Sequence, residues 1–155
     1  MNEQSQLNEQ QNPVSSDWNR VSDSTSNPQK EKEIVNQQLD YYIKAIQSLE
    51  AQIRDELDKS PNGSDKIRTL ETQKSDYEYL ASEVANALAV LPLPKNYGKT
   101  VDDILKEESE LKQSQIGEWQ EANQFPDDWE VVKRQKDLLD IAAQGTENIR
   151  ASIKS

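Results

Sequence analysis

The chain has 155 residues, 33% hydrophobic and 30% charged, with a formal charge of -11 and a mean hydropathy of -1.00. That length suits one folded unit, and so little apolar material excludes a thick two-layer interior, which leaves slender all-helical packing. With no cysteine and no histidine, disulfides, thiolate catalysis, His-dependent triads and ordinary transition-metal sites are excluded together.

Residues 1–29 are dominated by Ser, Asn and Gln, and Asn12-Pro13 and Asn27-Pro28 interrupt any short helix. This composition predicts a disordered polar tail, because it cannot bury enough apolar surface to offset chain entropy. Trp18 is its one large aromatic, either incidental or a short motif that orders on a partner.

From Glu31 the pattern changes. Val35, Leu39, Tyr42, Ile46, Leu49 and Ile53 follow alternating steps of four and three, which keep one narrow stripe on one face of a helix. The run Ser60-Pro61-Asn62-Gly63-Ser64-Asp65 then collects turn-forming residue types, with Ser64 or Asp65 as cap of a second helix. Ile67, Leu70, Tyr77, Ala81, Val84, Leu88 and Leu91 resume the stripe, with Lys74 in its missing step. That lysine either snorkels or marks a packing gap. Two helices of similar length around a short loop predict an antiparallel, coiled-coil-like hairpin over 30–91 with its stripes facing each other.

Pro92 and Pro94 end the second helix and open a linker over 92–99, in which Leu93 and Tyr97 are expected to pack the crossing. Thr100 and Asp103 resemble a capping box, and they start a C-terminal helical pair over 100–155. Val101, Ile104, Leu105, Leu111, Ile116 and Trp119 lie in the first member, which Gly117 weakens near its end. Phe125-Pro126 separates it from the second. There Asp127 and Asp128 precede Trp129, Val132, Leu139 and Ala142, at the end of a helix that favours negative charge. Gly145 and Thr146 are expected to interrupt or bend that last helix.

The string Gly98-Lys99-Thr100 ends like a phosphate-binding loop, but the glycine required five residues earlier is Leu93 and no strand precedes it. It reads as a turn, a charge and a cap. The acid pairs Asp102-Asp103, Glu107-Glu108 and Asp127-Asp128 read as solvated faces in a chain with 29 acidic residues. Tyr42 and Tyr77 fall in the stripes, whereas Tyr41 and Tyr79 fall outside them as exposed contacts. No residue is therefore assigned to catalysis, cofactor or metal, and the expectation is not an enzyme. Trp119, Phe125 and Trp129 flank one corner, where they either fill the turn or form a hot spot for a partner.

No cationic segment followed by an apolar one opens the chain, and the apolar run 87–91 is far short of the roughly 20 residues a bilayer demands. An intracellular protein, nuclear or cytoplasmic, is expected, without membrane contact. The acidic balance disfavours direct nucleic-acid binding, which needs clustered Lys and Arg. In pattern, the polar tail, the hairpin and the Leu91-Pro92 break followed by further helices resemble small helical subunits of eukaryotic nuclear assemblies such as Mediator or the kinetochore. Bacterial and phage assembly proteins share that pattern, and the resemblance implies a role in assembly. The sequence thus predicts a non-enzymatic assembly or adaptor subunit of a hetero-oligomeric complex, binding other helical proteins through its stripes. The alternative is an acidic regulator that occupies a basic protein surface.

Overall fold

The computed structural model describes residues 28–154. The tail, with Trp18, lies outside the described residues apart from its last two positions, which already belong to the first helix. Four helices follow in order: α1 (Pro28–Lys59), α2 (Asp65–Val90), α3 (Val101–Ala122) and α4 (Trp129–Lys154), with a 3-10 turn at Pro94–Asn96 between α2 and α3. Proline suits the first position of α1, where its missing N–H has no intrahelical acceptor to lose.

The helices α1 and α2 form the predicted antiparallel hairpin. Cross-pairs fix its register: the Tyr42 and Tyr77 rings lie 6.0 Å apart, Lys74 reaches Glu50 at 3.3 Å and Lys66 reaches Glu56 at 3.2 Å. Lys74 therefore snorkels along the stripe to a carboxylate on the facing helix. Gly63 closes the loop at φ +90°, a conformation that favours glycine, and the Ser64 hydroxyl accepts the N–H of Ile67 at 3.2 Å.

Burial along the α1 stripe alternates. Val35, Tyr42 and Leu49 are buried, whereas Leu39, Ile46 and Ile53 are half-buried. On α2, Ile67, Leu70 and Val84 are buried, with Tyr77 and Leu88 half-buried. The difference has a structural cause in the second pair, which folds back on the hairpin from one side. α3 and α4 pack antiparallel, α4 crosses both α1 and α2, and α3 rests on α2. One core results, in which Val35 and Tyr42 meet Leu80, Val84 and Ala87 of α2, Val101, Ile104 and Leu105 of α3, and Leu138, Leu139, Ala142 and Ala143 of α4.

Two local expectations are corrected. Helix α4 runs unbroken through Gly145 and Thr146. A Cβ at position 145 would sit 2.9 Å from Gln38 Nε2, so glycine serves close approach of α4 to α1 there and breaks nothing. Leu93 and Tyr97 do not pack the crossing, being 46% and 68% exposed. Asn96 is buried instead and donates to the Val90 carbonyl at 2.6 Å, satisfying a helix-end acceptor. Helix α3 runs through Gly117 to Ala122, ahead of Phe125-Pro126 as expected, and Asn123 ends it at φ 52°.

The capping box of α3 is present in full. Asp103 N–H donates to Thr100 Oγ1 at 3.2 Å, and Thr100 N–H to Asp103 Oδ2 at 2.9 Å. Thr100→Ala is expected to lower stability by about 1 kcal/mol, read as a shift in the urea midpoint; Thr100→Ser should restore most of it.

Candidate functional site

At the base of the bundle three helix ends converge. Glu31, in the first turn of α1, accepts the Val101 N–H at 2.8 Å and an Arg150 bond at 2.6 Å. Asp102, in the first turn of α3, accepts from Arg150 at 2.5 Å. Carboxylates thus sit at two positive helix ends and a guanidinium near a negative one, each in its favourable place. Burial alone would lower the Arg150 pKa, but the bonds to Glu31 and Asp102 outweigh it and hold the group above its ordinary value. Asp102 is therefore no solvated acid: the sequence reading missed that its partner lies 48 residues away.

One layer further in, Gln38 is buried between α1 and α4. Its amide donates to the Ala142 carbonyl at 3.0 Å and to the Tyr42 hydroxyl at 2.9 Å, and it accepts from the Thr146 hydroxyl at 2.8 Å. Every polar atom of that amide is in use, which is the condition for burying it cheaply.

Glu31, Ile34, Gln38, Tyr41, Ala45, Ser48 and Gln52 form a second stripe on α1, again in steps of three and four. Its first three members are buried. The last four line an open groove of about 860 Å³; α4 is bonded to α1 through Ala142, Thr146 and Arg150, whereas nearer its N-terminus Arg134 pairs with Asp76 of α2. Leu138, Ile141 and Ile149 form the α4 wall, while Gln73, Tyr77 and Leu80 of α2 close the inner side. Among all the lining residues only Asp76 and Arg134 carry charge, and they pair with each other. In a chain that is 30% charged, that neutrality distinguishes the groove from the rest of the surface.

The third feature is the corner between α3 and α4. Trp119 and Trp129 lie 6.1 Å apart edge to face, Phe125 meets Trp129 at 4.7 Å, and the Lys133 ammonium stands 5.2 Å from the Trp129 ring centre. The three aromatics thus both fill the turn and show part of themselves to solvent: Phe125 is 49% exposed.

Of the stripe residues, Val35, Tyr42 and Val84 lie in the core, with Leu39, Tyr77 and Leu88 packed against it; Leu49, Ile67 and Leu70 are buried and Ile46 and Ile53 half-buried outside that cluster, and Tyr42, Leu49 and Tyr77 also line the groove. Tyr41 is exposed, as its off-stripe position predicts, and its ring meets Tyr77 edge-on at 6.4 Å. Tyr79 differs from expectation in being half-buried against the core. Lys99 pairs with Glu107 at 2.8 Å, and Thr100 beside it serves as the cap. Among the described residues no group of three or more carboxylate, imidazole or thiol side chains is placed to hold a metal ion, and no helix is long and apolar enough to cross a membrane.

Burial, with Glu83 and Glu108 nearby, pushes the Tyr79 phenol up to about 12. The folded state therefore holds that proton more tightly than the unfolded chain does. Its contribution is complete below about pH 10 and is lost as pH rises toward about 12. Denaturation midpoints should fall across that window, and Tyr79→Phe should flatten the fall; a fall of unchanged steepness in the variant would assign it elsewhere.

No protein-family model, curated protein or solved structure matches the chain.

Proposed function

We propose that this chain is a non-enzymatic helical subunit of a multiprotein assembly, an adaptor that takes a helix of another protein into the groove between α1, α2 and α4. The neutral groove is the observation that carries the reading. A partner helix laid there would extend the second α1 stripe, meeting Tyr41, Ala45 and Ser48. Helix-in-groove recognition of this kind depends on buried apolar anchors and needs no charge steering. An intracellular hetero-oligomeric setting, with neither nucleic acid nor membrane as direct ligand, suits the acidic, weakly apolar surface.

The test is co-purification of the chain at native abundance, with salt varied in the wash, alongside an Ile141→Glu variant. Ile141 is 53% exposed, so the change spares the core. A stoichiometric set of partners that survives high salt and is lost in Ile141→Glu is the expected result. Recovery of the same partners by both proteins would overturn the groove as the binding surface.

A further inference from the structure

We infer that the outer end of the α3–α4 hairpin is a second docking surface, separate from the groove, which takes a segment of a partner protein bearing arginine or lysine. The aromatic corner supplies the contact area. Phe125 is 49% exposed, and the edge-to-face rings of Trp119 and Trp129 beside it are half-buried.

Charge selects the occupant. Between Lys112 and Lys133 the chain holds no basic residue and five acids: Glu118, Glu121, Asp127, Asp128 and Glu130. All five are exposed, and none forms a salt bridge with another described residue. Some acids elsewhere, Glu31, Glu50, Asp76, Asp102 and Glu107 among them, pair with basic residues of the fold, whereas the stretch between Lys112 and Lys133 supplies no basic residue of its own. The start of α4 contributes about half a positive charge, far less than five carboxylates supply. An unspent negative field thus surrounds rings whose faces attract cations.

The Trp129 ring already demonstrates that chemistry, since the Lys133 ammonium stands 5.2 Å from its centre. A guanidinium is planar and weakly hydrated, so it stacks on such rings more readily than an ammonium does. The partner segment therefore carries a cationic head for the rings and carboxylates, with an aliphatic neighbour for Phe125.

The test uses the full chain carrying Trp18→Phe, so that emission reports only Trp119 and Trp129. The probe is a labelled peptide alternating arginine with leucine, and its control has glutamine in place of arginine. Binding of the arginine peptide should perturb tryptophan emission. It should weaken about tenfold or more in Phe125→Ala and in Asp127→Asn/Asp128→Asn. It should change less than about twofold in Asp55→Asn/Asp58→Asn, which removes two exposed acids from the other hairpin. Equal weakening by the two acid pairs would reduce the effect to general charge attraction and overturn the inference. So would indifference to Phe125→Ala, equal binding of the glutamine peptide, or no binding of the arginine peptide. The Asp variants keep the test decisive should Phe125→Ala disturb the turn.

Discussion

Replacing Arg150 by methionine is expected to destabilise the fold by about 3–5 kcal/mol, because it strands the buried Glu31 carboxylate without its counterion and leaves Asp102 only the more distant Lys106 ammonium at 3.9 Å. The Glu31 and Asp102 side chains are only 2% and 10% exposed, and that of Arg150 is 16% exposed. Solvent cannot take over the role of the guanidinium. A triple variant, Glu31→Gln/Asp102→Asn/Arg150→Met, should recover most of the loss. It removes the charges along with their partner, while the amide oxygen introduced at position 31 can still accept the Val101 N–H. The comparison belongs in urea unfolding, with the slope checked for constancy. A loss below about 1 kcal/mol in the single variant would place this trio with exposed pairs. Lys44 and Asp40 are such a pair, at 2.9 Å but 72% and 63% exposed, and Lys44→Ala should shift stability by no more than about 0.5 kcal/mol.

Leu139→Ala should cost about 2–5 kcal/mol. Leu139 has no exposed surface and sits in the core that all four helices share. Its removal takes away apolar burial and leaves a cavity that helices fixed at both ends of the bundle close only in part. Against a typical domain stability of about 5–15 kcal/mol, one such change threatens the fold. Leu111→Ala provides the control. That leucine is 68% exposed, and its loss should stay within about 0.5 kcal/mol. Equal effects at the two positions would mean that the helical pairs do not share a common core in solution.

The hairpin was legible in the sequence because both of its periodic signals are local. Alternating steps of three and four from Val35 to Ile53 mark a helix face regardless of what covers it, and the run from Ser60 to Asp65 marks the turn. The aromatic corner was equally plain, since Trp119, Phe125 and Trp129 lie within one short stretch. What escaped was the second stripe of α1. Glu31 and Gln38 interrupt its apolar character, and their partners on other helices lie 70 to 119 residues away in sequence. A buried carboxylate bound to a distant arginine has the same sequence signature as one facing water. Gly145 misled for a related reason: glycine weakens an isolated helix, but here it answers a neighbour that only the folded chain brings near. The groove followed the same fate, since its neutrality is a property of three helices together.

The trio at the base also bears on how the molecule comes into being. Each hairpin can form from neighbouring stretches of chain as they leave the ribosome, since local contacts form early and at little entropic cost. The bond between Glu31 and Arg150 spans 119 residues and has to wait for almost the last turn of α4 to be made. Until then the first turn of α1 carries a carboxylate without its counterion, and the core faces of the α1–α2 hairpin stand open. Any state of the chain in which Arg150 is not yet in place therefore leaves Glu31 uncompensated and the core faces of the first hairpin uncovered.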